Sequence, residues 1–598
     1  MKKLLFLLIC TNLAFAQLPQ LNLEKPKPFK QQTFCNPMDI NYQYNWEQTN
    51  EKISYRSGAD PVVITHKAKG RPSEYYLFHT IQGGYWKSKD LLNWHYIVPS
   101  RWPMEDMCAP AAISVRDTLY LFQSTFQQRP IFYTTTPETG KLHFYNRWLP
   151  QLPKDIGPWD PALFHDDATD RWFMYWGSSN VYPIFGAELD KSKNLTYKEK
   201  NNYKELIYLH PELHGWERFG RDHRDTIKPF TEGAWMTKNN GKYYLQYGAP
   251  GTEFNVYANG TYVSNDPLGP FTYAPNNPVA YKPGGFMTGM GHGNTFQDLY
   301  GNYWNTGTPW IAVNWNFERR IEMVPAGFDK DGLMFANTRF ADFPQKLPTK
   351  KWQKSDELFA GWMLLSYKKP CVASSVKEVK FEANLVTDEN PRTFWVANTN
   401  KKGETLTIDL EKEALVKSFQ INYTDYKSDI YDSALPKVYI QFKVYTSINN
   451  KTWTVVADNT NEKRDRPNAY EELAKPVKAR YVKFENIHVP MPNLAISDIR
   501  IFGNGFEKTP EMPQNLSVTR QKDDRNADIS WQKVPNAVGY NILWGIAPDK
   551  LYQTYQVWND ATSTLELRAL TVGQKYYFAI ESFNENGVSK VSEVVGAR

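Results

Sequence analysis

Five short aromatic runs recur between residues 58 and 335, each bounded by Gly, Pro, Asn or Asp: YYLF from Tyr75, LYLF from Leu119, WFMYWG from Trp172, YYLQYG from Tyr243 and NYWNTG from Asn302. Aromatic and β-branched runs between turn formers read as strands, and helical periodicity is hard to find anywhere in the chain. A unit of this kind cannot bury its apolar faces alone. Repeated about every 40 to 50 residues, four-stranded sheets close around an axis, so the repeat predicts an all-β protein that begins with a five-bladed β-propeller. The uneven spacing of the copies places extra residues in loops on one face of the array.

About a dozen residues upstream of each run the preceding strand begins, at GADPVVIT with Asp60, CAPAAIS with Pro110, WDPALFHDD with Asp160, TEGAW with Glu232 and GHGNTFQD with His292. Innermost strands of a propeller all start at the same end of the central channel, which would bring these positions together. One acid at the start of a strand is unremarkable, because most acids are solvated. Three in register across separate repeats, with a histidine, point instead to a functional site. Aromatics make up 15% of the chain, with 20 Trp and 37 Tyr. Flat apolar faces with a polar edge suit sugar rings as well as β cores, which makes Tyr85 and Trp86 in GGYWKS, Trp159 and Trp235 candidate walls of a sugar site.

The opening MKKLLFLLICTNLAFAQ has two lysines, a short apolar core and Ala-Phe-Ala before Gln17, the pattern of a secretory signal over residues 1–16. Export to the periplasm or beyond is therefore expected. Cys10 offers a lipid-attachment alternative that the bulky Ile9 before it fits poorly. No later apolar run approaches the ~20 residues needed to span a bilayer. Cys35, Cys108 and Cys371 are odd in number and far apart, which excludes a disulfide framework and metal-ligand spacing. The formal charge of +6 is spread over mixed-sign segments, so nucleic acid is not an implied partner.

The motifs ADPVV at 59–63, WDPALFHDDATDRWFMYWG at 159–177 and EGAWMTKNNGKYYLQYG at 232–248 resemble those of glycoside hydrolase family 43, five-bladed propeller enzymes acting on arabinofuranosides, xylosides and galactans, and the resemblance covers roughly 33–345. It implies Asp60 as general base, Glu232 as general acid and Asp160 as the aspartate that tunes and orients the acid. It also implies that His292 lies against the substrate site, near a central water or calcium. Cys108-Ala109-Pro110 stands where the family has Trp-Ala-Pro, and Gly233-Ala234-Trp235 where it has Gly-Pro-His. Asp39, in NPMDINY, is a rival for the base. Inverting hydrolysis needs one protonated carboxyl to donate to the leaving oxygen and one ionised carboxylate to activate water, and Asp160 near Glu232 would favour the protonated acid by like-charge repulsion. A neighbouring retaining family would place its nucleophile only ~5 to 5.5 Å from the acid.

Three domains follow from these patterns: 17–350 as the propeller, 366–505 as a discoidin-like (factor V/VIII C-type) jelly roll with Asp388 to Trp395 matching that family's first core signature, and 510–598 resembling a fibronectin type III sandwich with Tyr576 as its corner tyrosine. The last is expected to be a spacer, with modest interfaces between domains. The expected function is an exported, exo-acting, inverting glycosidase on plant or microbial polysaccharides. It would be a monomer that needs no cofactor beyond a structural calcium in the channel or the discoidin-like domain. The alternative is a non-catalytic glycan-binding protein on the same scaffold.

Overall fold

Each aromatic run forms the second strand of an antiparallel sheet, and the residues upstream of it form the first. The first sheet orders Val62–His66, Glu74–Phe78, Tyr85–Ser88 and Trp94–Ile97, and the second Cys108–Val115, Thr118–Ser124, Ile131–Thr134 and His143–Asn146. In the third, Ala162–Asp166, Arg171–Trp176 and Ile184–Asp190 are followed by Thr196–Tyr197 and Lys204–Ile207, which both pair with Ile184–Asp190. The fourth holds Glu232–Asn239, Lys242–Ala249, Ala258–Ser264 and Thr272–Tyr273, and the fifth Thr295–Gln297, Tyr303–Gly307, Glu322–Phe328 and Met334–Ala336. The first strand of each sheet neighbours the first strand of the next, and the fifth returns to the first. That closed order is the five-bladed propeller.

The computed structural model describes residues 30–45, 53–100, 108–124, 131–146, 159–199, 202–430, 438–560 and 563–597, and the signal segment with Cys10 lies outside them. Strand alternation explains why the runs are apolar at every position. In the first blade Val63, Tyr75 and Leu77 pack with Phe296 and Trp304 of the fifth, whereas Val62, Ile64, Tyr76 and Phe78 pack with Ala112, Leu119 and Phe132 of the second. Successive side chains point to opposite faces, and both faces of a blade are covered by its neighbours. Asn294 fastens the ring, its amide donating to Val63 O at 2.8 Å and its oxygen accepting from Val63 N at 2.9 Å. The two ends of the propeller chain also pair, Thr33–Phe34 with Gln345–Lys346.

Beyond the propeller, an eight-stranded sheet is built around two long strands, Thr405–Tyr423 and Asn468–His488. Register shifts between Asp409 and Ala414 and between Val416 and Ser418 let the first of them bend around a core that includes Trp395, Ile421, Phe442 and Phe484. The last domain sets the three strands Ser517–Arg520, Ala527–Ser530 and Thr564–Leu567 against a five-stranded sheet centred on Gly539–Gly545 and Tyr576–Asn584.

These domains are not loosely strung. From Gln31 onward the chain is one compact unit. The segment between the third and fourth blades carries Trp216 into a core shared with Trp531, Tyr540, Trp544 and Tyr576 of the last domain. Beside it Gly215 N donates to Leu570 O at 2.8 Å and Arg218 Nη2 donates to Arg568 O at 2.6 Å. Asp39, the rival base, is held by the Arg466 guanidinium and accepts from Tyr470 N at 3.2 Å, so it fastens the second domain to the propeller. Arg56 is fully buried, with Nη2 2.7 Å from Asp425 and Nη1 2.8 Å from Asp465. The expectation of a spacer and modest interfaces is thus replaced by shared cores and buried ion pairs. Removing one partner of a buried pair costs up to about 3–5 kcal/mol, and without Asp425 the Arg56 charge would keep only Asp465. Asp425→Ala is therefore expected to add an early transition to the calorimetric scan of the full chain; an unchanged scan would show that the Arg56 pair is not holding the interface.

Candidate active site

Every blade is entered through a residue with left-handed backbone: Asp60 (φ 53°), Ala109 (39°), Asp160 (46°), Gly233 (65°) and His292 (46°). For a residue other than glycine this conformation costs roughly 1–2 kcal/mol, and aspartate tolerates it better than most. Its repetition around one end of the channel marks these turns as a shared device that aims side chains. In blades two and four a bulge follows, between Cys108 and Ala111 and between Glu232 and Trp235. The acid of blade four therefore stands one residue before its left-handed turn, and Cys108 is its counterpart in blade two, not Pro110. A Cβ on Gly233 would lie 2.8 Å from the His292 ring, so only glycine lets the histidine pack there.

The turns bring Asp60, Asp160, Glu232 and His292 together. His292 Nδ1 lies 3.1 Å from Asp60 Oδ1 and 3.8 Å from Asp160 Oδ2. Arg319 Nη1 is 3.7 Å from Asp60 Oδ1, and Thr80 donates its hydroxyl to Asp60 Oδ2. Ser124 Oγ donates to Asp160 Oδ1 at 3.2 Å and accepts from Asp160 N at 3.0 Å. Glu232 accepts from the hydroxyls of Tyr257 (2.5 Å) and Ser178 (3.2 Å), one on each oxygen. Asp160, Glu232 and His292 each bring one ligand atom within 4.8 Å of the others.

Burial dominates the electrostatics, and neighbours decide its outcome. Burial works to raise the Asp60 carboxyl, yet His292, Arg319 and the Thr80 hydroxyl together hold it below the ordinary carboxylate range. Burial pushes Asp160 up to about 7, opposed by His292 and reinforced by the charges of Glu232 and Asp60. Burial would lower His292, but the three carboxylates around it raise it above its usual value. Burial and the Glu232 carboxylate hold the Tyr257 phenol well above its ordinary value, as a neutral donor. The site thus holds one ionised aspartate and, beside it, a second aspartate poised to keep a proton near neutral pH. A calcium ion takes six to eight oxygen ligands; two carboxylates and an imidazole do not by themselves complete such a shell.

The aromatic expectations divide. Tyr85 is fully buried between the first two blades and donates to Pro137 O at 2.6 Å. Trp86, also fully buried, stacks on His79 at 4.4 Å and donates to Asn41 Oδ1 at 2.7 Å. Both lie on the third strand of the blade, where alternate side chains enter the inter-blade cores, so neither is a sugar wall. Trp235 is part-buried, donates to Thr295 O at 3.0 Å and packs on the core that holds Val62 and Ile64. Trp159 is half-buried beside Asp160, its carbonyl accepting from Gly177 N at 2.8 Å.

Sequence reasoning missed the hydroxyls, and they follow a rule. Ser124, Ser178 and Thr308 each close the second strand of a blade or follow it within two residues, and each bonds the acidic residue that begins the next blade: Asp160, Glu232 and, around the ring, Asp60, whose N–H donates to Thr308 Oγ1 at 3.0 Å. The signal was a Ser or Thr one or two residues past an aromatic run. Tyr257 and Arg319 carried no such signal, because they come from outside the repeated pattern.

Residues 53–333 match the family model described as glycosyl hydrolases family 43, and residues 371–495 match the F5/8 type C domain. Among curated proteins the chain is similar to a xylosidase/arabinosidase of Bacteroides ovatus, 47% identical over 177 residues that cover 26% of this chain and 51% of that protein. It is also similar to xylosidase/arabinosidase 43A of Humicola insolens (26% over 198 residues, 29% and 58% covered) and to β-D-galactofuranosidase xynD of Aspergillus niger (26% over 145 residues, 24% and 35% covered). The chain spans about half the length of the first two of these relatives and a third of the last. A solved glycoside hydrolase aligns with 74% of this chain and 97% of its own, at 17% identity and a TM-score of 0.43. The four acidic and basic groups gathered at the channel mouth lie within the first matched segment, and the chain carries a glycosyl hydrolases family 43 domain followed by an F5/8 type C domain.

Proposed function

We propose that this chain hydrolyses O-glycosidic bonds with inversion, Asp60 serving as general base and Glu232 as general acid. The observation that carries the reading is the convergence of Asp60, Asp160, Glu232 and His292 through equivalent left-handed turns. Asp60, kept ionised by His292 and Arg319, takes a proton from the attacking water. Glu232 gives its proton to the leaving oxygen, steadied by Tyr257 and Ser178. Asp160, pushed up to about 7 by burial and by the charges of Glu232 and Asp60, keeps a proton beside the acid near neutral pH. The names of the relatives favour a xylosyl, arabinofuranosyl or galactofuranosyl unit at the end of a polysaccharide or its branch. The last domain is a fibronectin type III sandwich: Thr571 N donates to the Tyr576 hydroxyl at 3.1 Å, as a corner tyrosine requires. It braces the propeller. The signal segment supports export.

Proton NMR of the first product from an aryl glycoside panel (α-L-arabinofuranoside, β-D-xyloside, β-D-galactofuranoside) tests the reading. Inverted anomeric configuration is expected from carboxyls ~6.5 to 9.5 Å apart; retention, or no turnover on any member, would overturn it. Asp160→Asn should move the alkaline limb of the pH profile toward lower pH. Asparagine removes both the Asp160 proton and the negative charge whose repulsion favours a protonated neighbour, while Asp60 stays ionised across the same range. An unmoved limb would remove Asp160 from the task of tuning the acid.

A further inference from the structure

A second set of charged groups stands beside the catalytic channel and takes no part in the chemistry above. Trp310 pairs by a β-bridge with Arg319, whose guanidinium faces Asp60, and lies two residues beyond Thr308, which holds the Asp60 backbone. Two further guanidiniums lie against its indole, Arg392 at 4.4 Å and Arg221 at 5.4 Å from the ring centroid. They come from distant parts of the chain. Arg221 belongs to the segment between blades three and four, and Arg392 to the F5/8 type C domain. Among the described residues neither guanidinium has a carboxylate within 4.0 Å, and Arg392 Nη1 is buried without a hydrogen-bond partner. The nearby Asp222 is turned away, accepting instead from Asn255 at 2.8 Å.

Like charges seldom converge unless something neutral or negative separates them. The indole face supplies part of that by cation–π attraction, but it leaves Arg392 Nη1 without an acceptor and the Arg221 fork open to solvent. Burial, and next to it the charge of Arg221, depress the Arg392 pKa, as expected of a guanidinium short of an anion. Arg319 shows the contrast. Its donors are spent on Thr252 at 3.0 Å and Phe317 O at 2.8 Å, and its charge on Asp60.

We propose that Arg221, Trp310 and Arg392 form a subsite at the channel mouth that takes the carboxylate of a uronic acid residue in the substrate. Planar forks match a carboxylate two bonds at a time, and sugars beyond the one being cleaved would lie across this rim. The F5/8 type C domain thereby completes the cleft of the propeller. The inference takes its sugar from the glycosidase reading, but binding alone tests it, so a chain that binds uronate without hydrolysing any glycoside would separate the two.

Isothermal titration calorimetry of the full chain with D-glucuronate, D-galacturonate, D-glucose and D-galactose 6-sulfate is the experiment. At least one uronate is expected to bind about tenfold or more tightly than glucose, the worth of one charge-assisted hydrogen bond, and to weaken as salt rises from about 10 mM to about 150 mM. Arg221→Met, at an exposed position, and Arg392→Met should each lower that affinity about tenfold, and Arg392→Lys, which keeps charge but loses the fork, should fall between. Equal binding of uronates and glucose, or uronate binding unchanged in Arg221→Met, would overturn the subsite. Tighter binding of the sulfate than of either uronate would overturn the carboxylate assignment.

Discussion

Glu232→Gln should reduce turnover of substrates with poor leaving groups, such as xylo- or arabino-oligosaccharides, by about a hundredfold to ten-thousandfold, and that of nitrophenyl glycosides far less. General acid catalysis is worth about that much when the leaving oxygen must be protonated as the bond breaks, and little when it departs readily as an anion. Glutamine keeps the size of the side chain; its oxygen can still accept from Tyr257 while its amide donates to the Ser178 hydroxyl, so the loss reads as a lost proton and not a lost fold. The measurement is kcat/KM against leaving-group pKa. A steep dependence in the variant with a shallow one in the native enzyme is the expected pair, and parallel lines would remove Glu232 from the acid role.

Asp60→Asn should slow both substrate classes alike, by about a thousandfold, since water must be activated whatever departs. Azide needs no deprotonation. Added to the variant, it should restore turnover and give a glycosyl azide in place of the free sugar. The substitution also leaves His292 and Arg319 beside a neutral amide, so the fraction folded must be measured with the rate. Full activity in Asp60→Asn would refute the assignment. Asp39 would not inherit the role, because its carboxylate is committed to Arg466 at the interface with the second domain.

The repeat and its acids were legible because they are local. A strand reports itself through aromatic and β-branched composition between turn formers, and the turns that aim the acids are written as Asp-Pro at 60–61 and 160–161 and as Glu-Gly at 232–233. The misreadings have equally definite causes. Tyr85 and Trp86 looked like sugar walls because an aromatic pair after two glycines has the same composition on a channel rim as in an inter-blade core, and only the strand's place in the blade tells which. The polar shell was half legible, since Ser124, Ser178 and Thr308 keep step with the repeat whereas Tyr257 and Arg319 do not.

By itself, then, the sequence determined an all-β chain, the five-fold repeat and the acids at its strand starts, because period-two alternation and turn chemistry act over a few residues. Tertiary structure alone decided how the domains join and which charges meet. Arg56 finds Asp425 across 369 positions, Asp39 finds Arg466 across 427, and Arg392 reaches Trp310 from another domain. Such meetings follow from how two finished sandwiches and a ring fit against one another. A buried ion pair also needs geometry good enough to offset the desolvation of both charges, a condition that the pattern along the chain does not record.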